Sequence, residues 1–142
     1  MRSFRAIVLT TGIVGGAAFV VHAWFPNVGG WPMIWPAAVG AIAFWLSTRE
    51  PKPHRLRTGL AAALIAGAIM GAISFVGTSI MAIALIHAAR PAIDSSGVSS
   101  GVATSASVAG LAVLGVIACA VAVLGGAVLL PVRYAQTRHA HG

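Results

Sequence analysis

Apolar residues in this chain neither alternate nor recur on a helical stripe; they come in long runs divided by short polar segments. The first run, residues 6–24, holds nineteen residues without a charge. As α-helix it is about 28 Å long, enough to cross a hydrocarbon core of about 30 Å. Phe25, Pro26, Asn27 and the pair Gly29-Gly30 then break it with turn-forming residues. The second run, residues 31–47, is shorter and has Pro32 and Pro36 near its start; Pro36 marks the helix start or a kink. Residues 48–57 read as a polar loop. The third run, residues 58–89, has thirty-two residues and no charge. That is too long for one perpendicular crossing and too short for two with a turn between them. One tilted helix is expected, projecting beyond the membrane and stopped at Arg90-Pro91. Residues 94–107 are rich in Ser, Gly and Thr and read as loop, so residues 90–105 form an outer connection. The fourth run, about residues 106–130, ends at Pro131. The expectation is an all-α integral membrane four-helix bundle, a single transmembrane domain with up-and-down connectivity.

Composition strengthens that reading. Of 142 residues, 58% are hydrophobic and 8% charged, with a mean hydropathy of +0.94. A soluble domain carries about a quarter charged residues to wet its surface, so a soluble enzyme, a disordered tail and a disulfide scaffold all fit poorly. The single cysteine, Cys119, cannot close an internal disulfide and reads as a small apolar residue inside its run. The N-terminal stretch has the basic start and apolar run of a signal peptide; it is read as a retained helix.

A net charge of +7 does not point to nucleic acid, because the basic residues flank the apolar runs. Four crossings place Arg2, Arg5, Arg49, Lys52, Arg55, Arg57, Arg133 and Arg138 on one side and Arg90 alone on the other. Positive charge collects on the cytoplasmic side, so both termini are expected there. Membrane lipids, anionic headgroups included, are the expected partners of this excess.

Small residues recur four apart at Gly12 and Gly16, at Ala63, Gly67 and Gly71, and at Ala118, Ala122 and Gly126. Residues at that spacing share a helix face, and small ones let helix backbones approach in lipid. Trp24, Trp31 and Trp35 flank the first reversal and read as interfacial anchors.

No charge falls within the four runs, and no Ser/His/Asp set, P-loop or HExxH pattern occurs. Proton relays and ion pumps need an ionisable group in the membrane, so catalysis by this chain is not expected. His22 and His87 stand at the outer ends of the first and third runs, where a neutral imidazole can ligate haem iron or a chlorophyll magnesium. Ala18, one turn before His22, with Trp24 and Trp31 after it, resembles the pigment-ligating helix of bacterial antenna polypeptides. That resemblance covers about fifteen residues and implies a chlorophyll-type pigment held by His22. Met33 and Met81 could join the histidines in a soft copper site, though nothing in their spacing requires it.

The favoured function is a non-catalytic accessory subunit of a larger bacterial membrane complex, packing through its small-residue faces. The alternatives are a pigment- or haem-binding subunit of a photosynthetic or respiratory assembly, and a small transporter or channel subunit. A Gly/Ala-rich chain that prefers Arg to Lys suggests a bacterial inner-membrane protein.

Overall fold

The computed structural model describes residues 3–25, 32–49, 55–140 and 142. Its helices are α1 (Phe4–Trp24), α2 (Ile34–Ser47), α3 (Arg55–Ala88), α4 (Arg90–Ser95), α5 (Ser100–Ala127) and α6 (Leu130–Ala140). The fold is all-α, and α1, α3 and the stretch from Ser100 to His139 are long and apolar enough to cross a membrane. Helix α2 is apolar but shorter, at 14 residues.

Several boundaries differ from those the apolar runs suggest, each for a local reason. Helix α3 begins at Arg55, so Arg55 and Arg57 occupy its first turn instead of the preceding loop. Helix α5 begins at Ser100, well before the apolar run, because the Ser99 hydroxyl accepts from the Val102 N–H at 3.2 Å and caps it. Within its first turns the Thr104 hydroxyl donates to the Ser100 carbonyl at 2.8 Å. The outer connection therefore contains α4 and the first turns of α5, joined through Gly97 at φ 84°. The polar tail is helical too. Pro131 has no N–H to continue α5, but it is tolerated in the first turn of α6. Pro36 likewise lies in the first turn of α2, without a kink.

Helices α2 and α3 form the shared centre, each packing on both α1 and α5, which stand on opposite sides. Register follows from the glycines. Gly12 faces Ile69, Gly16 faces Ile73 and Gly77 faces Val20, so α1 and α3 run parallel. Gly126 faces Ala63, Gly67 faces Ala122 and Gly71 faces Gly115, so α5 runs against α3. Gly15 meets Val39, and Trp35 bonds to His22, so α2 runs against α1. The small-residue stripes of α3 and α5 thus meet each other, whereas that of α1 receives isoleucines from a second face of α3.

The core is made of small side chains. Ala43, Ala62, Ala63, Ala66 and Ala122 are fully buried, with Phe44 and Met70 as the large fillers. The tightest crossing is between α2 and α5. A Cβ added at Gly40 would overlap the Ala122 carbonyl, and one at Gly125 would overlap that of Ala37. Neither glycine belongs to the stripes named from sequence.

Two alanine substitutions should separate on this basis. Gly40→Ala should destabilise the protein by about 1–3 kcal/mol, the cost of overpacking. Gly110→Ala, where a Cβ meets nothing within 4 Å, should be neutral or stabilise by about 0.5–1 kcal/mol through reduced chain entropy. Unfolding midpoints in mixed micelles check this, and equal midpoints would remove the crossing as an organising contact.

Candidate functional site

Two ends of the bundle carry side-chain chemistry. At the end where α1 finishes and α2 begins, the Trp35 indole N–H donates to His22 Nδ1 at 3.2 Å, with the rings edge-on at 76°. Indole can only donate, so Nδ1 must present a lone pair and the neutral imidazole holds its proton on Nε2. Neither nitrogen is then left with a free lone pair for a metal. A ligating histidine has the opposite polarity, donating its second N–H to an acceptor.

Trp35 is accordingly turned inward, half-buried against the core formed by Val8, Val39 and Met70, instead of serving only as an interfacial anchor. Trp24 is 47% exposed at the end of α1, where an anchor belongs. Trp31 lies outside the described residues, as do Arg2 and Lys52.

His87 does not join His22. It is exposed in the last turn of α3 and lines an open cleft of about 440 Å³ with Arg90, Ser100, Thr104 and Ser105. His22 faces α2, while His87 opens toward α5 on the other side of the bundle. Among the described residues, no group of three or more His, Cys, Asp or Glu side chains could hold a metal.

At the opposite end, Arg133 is only 7% exposed. Its guanidinium donates to the Trp45 carbonyl at 3.3 Å and to Gln136 Oε1 at 2.9 Å. Its Cζ lies 3.7 Å from the centroid of the Trp45 ring. The Trp45 carbonyl belongs to the last turn of α2, where helix carbonyls lack partners and the helix dipole favours a cation. Arg133 thus ties α6 to the end of α2. Sequence reasoning read Arg133 only as a topology marker and named no aromatic at this end. A signal was present: Thr137, four residues on, shares its face and is also buried.

A third feature is an open apolar groove of about 610 Å³ along α3 and α5, with Ala68, Gly71, Ala72, Ala112, Gly115 and Ala120 among its walls. Cys119 lines it and points its thiol at the Leu64 carbonyl, 3.7 Å away.

Comparison with protein-family models, curated proteins and solved structures gives no match. What the chain can do must be argued from its geometry.

The His22–Trp35 bond is testable as a coupling. Trp35→Phe should cost about 1 kcal/mol of stability beyond the volume change, and the same substitution in a His22→Phe background should lose that increment. A double-mutant cycle on detergent unfolding midpoints reads it; no coupling would mean that the bond contributes nothing.

Proposed function

We propose that this multi-pass helical membrane protein is a non-catalytic accessory subunit of a larger membrane complex in the bacterial cytoplasmic membrane. The observation that carries this reading is the α3–α5 groove. Helix α5 buries only Ala118, Ala122 and Gly126 among its 28 residues, yet its remaining contact with α3 is bordered by alanine and glycine. Disordered acyl chains gain little from such a wall, whereas a partner helix gains close backbone approach. The long helices run unbroken through their described lengths, and transporters commonly build their sites on interrupted helices. The hydrogen-bond polarity at His22 weighs against a pigment or haem ligand there.

Photo-crosslinking in native membranes tests the proposal. With p-benzoylphenylalanine in place of Val116, which lines the groove and is 71% exposed, irradiation should give an adduct heavier by one polypeptide. The same probe at Val14, exposed on α1, should not. Lipid adducts alone at both positions would sink the subunit reading.

We further infer four crossings, through α1, α2, α3 and α5, with both termini cytoplasmic. Support comes from Arg5, Arg49, Arg55, Arg57, Arg133 and Arg138 lying at the same end of the antiparallel array, with Arg90 at the other. In a Cys119→Ala background, Ser96→Cys should react with a membrane-impermeant maleimide on intact spheroplasts. Gln136→Cys should react only after permeabilisation. The reverse pattern would invert the topology, and equal labelling would change the number of crossings.

A further inference from the structure

We propose that the end of the bundle holding the start of α1 and all of α6 is a binding surface for anionic phospholipid, its phosphate drawn to the exposed guanidinia of Arg57 and Arg138. The inference needs the chain to be a membrane protein but does not depend on its being a subunit of anything.

Among the described residues no carboxylate lies at this end of the bundle. Arg5, Arg49, Arg57 and Arg138 are all exposed. The buried Arg133 is held by neutral groups only: a backbone carbonyl, a glutamine oxygen and an indole face. Its Nε is buried without a hydrogen-bond partner. Among the described residues the one acid is Asp94, which sits at the opposite end, 3.8 Å from Arg90. A buried cation without a counter-charge is costly, and so is a collar of like charges around it. An anion supplied from outside relieves both.

The form of the surface selects a lipid as that anion. Helix α6 turns Arg133 and Thr137 inward and exposes Val132 and Tyr134 beside Gln136, Arg138 and His139, so its outer face mixes apolar and polar groups. Arg138 holds its guanidinium 5.0 Å from the Tyr134 ring centroid, so a cation edges an apolar and aromatic surface. Acyl chain and glycerol can lie along Val132 and Tyr134 while the phosphate meets guanidinium in charge-assisted hydrogen bonds. A nucleic acid or an acidic soluble protein would meet the same charge but gain nothing from the apolar half. The pin from Arg133 to the end of α2 gives α6 a fixed position from which to present Arg138.

Each arginine near a membrane surface is worth about a fivefold preference for anionic over neutral lipid. The test incubates purified full-length protein in mixed micelles with equimolar phosphatidylglycerol and phosphatidylcholine. Bound lipid is then counted by mass spectrometry after re-isolation. Phosphatidylglycerol should be enriched about fivefold or more, fall toward equality in the Arg57→Gln/Arg138→Gln double variant, and stay unchanged in Arg90→Gln. For the unaltered protein the enrichment should weaken as salt is raised, a readout that does not depend on the variant folding. No enrichment, an equal loss in Arg90→Gln, or insensitivity to salt would overturn the proposal. Inorganic phosphate raising the unfolding midpoint as much as phosphatidylglycerol does would also overturn it, by assigning the surface to a free anion. A failed photo-crosslink with retained lipid selectivity would remove the subunit reading and leave this one standing.

Discussion

Everything in this bundle depends on how closely two backbones can approach where α2 crosses α5. Water drives apolar surfaces together in a soluble protein, but in lipid a leucine gains almost nothing by leaving its acyl neighbours. Cohesion must come from dispersion at short range, and dispersion decays steeply with any gap. Gly40 and Gly125 remove the side chains that would hold these two helices apart, so that each meets backbone of the other helix. Because α2 has only 14 residues, it has little length over which to accumulate contacts. It compensates by intimacy. With α2 seated there, α3 can touch all three other long helices, and the alanine-rich core around Ala43, Ala62 and Ala66 closes without voids large side chains would otherwise fill.

Polar groups inside such a structure cannot turn to water, and several hydroxyls take the shortest route to a partner, while Ser74 Oγ and Ser79 Oγ are buried without one. The hydroxyls of Thr11, Thr48 and Thr78 each donate to a carbonyl one turn back in their own helix, and Ser47 does the same to Ala43. Among the described residues the Cys119 thiol reaches the Leu64 carbonyl across helices, and two further side-chain contacts escape this pattern, His22 with Trp35 and Arg133 with Trp45. They stand at opposite ends of α2, and each joins α2 to a different helix. The shortest long helix is therefore held at its middle by glycine and at its two ends by indole-containing pairs. This division of labour places directional bonds at the two ends of α2 and leaves the non-directional packing at its middle.

The existence and direction of the long helices were legible in the sequence, because an uncharged run near twenty residues has few structural solutions and the arginines sort to its ends. Which face of each helix points inward was not. A helix that is apolar all round has no polar side to mark its exterior, so rotation about its axis is set by packing alone. The small-residue spacing found the faces of α3 and α5 that meet, yet Gly40 and Gly125 were passed over. Glycine and alanine are abundant throughout, and their spacing says nothing about which pair will reach backbone contact. Trp35 and Arg133 were assigned by residue type to the membrane boundary. Each does lie toward a boundary, but turned inward, because a donor available at the end of a helix is worth more against an unpartnered acceptor than against water. Helix ends were misjudged for a related reason. Hydropathy marks where the membrane stops, whereas Ser99, Pro131 and the first turn at Arg55 mark where the helix does.

Length mismatch links the fold to its outward surfaces. Helix α3 has 34 residues and α5 has 28, against 21 in α1, so beyond Gly77, which still meets Val20 of α1, the last turns of α3 and the first turns of α5 extend past α1. There the two lean on each other and on the short α4. Ile80, Ile83, Leu85 and Val102 stand exposed, and the cleft holding His87 opens between them. At 1.5 Å per residue α3 is about 51 Å long, well over a hydrocarbon thickness of about 30 Å even with considerable tilt. An apolar projection of that kind is stable only if something apolar meets it beyond the headgroups. Under the subunit reading proposed above, this projection is a second place for protein contact beside the α3–α5 groove. The basic end makes the opposite demand: it exposes charge where headgroups are available and needs no polypeptide to satisfy it. The two surfaces are separated along the bundle axis, so the lipid contact and the subunit contact proposed above do not compete for the same residues.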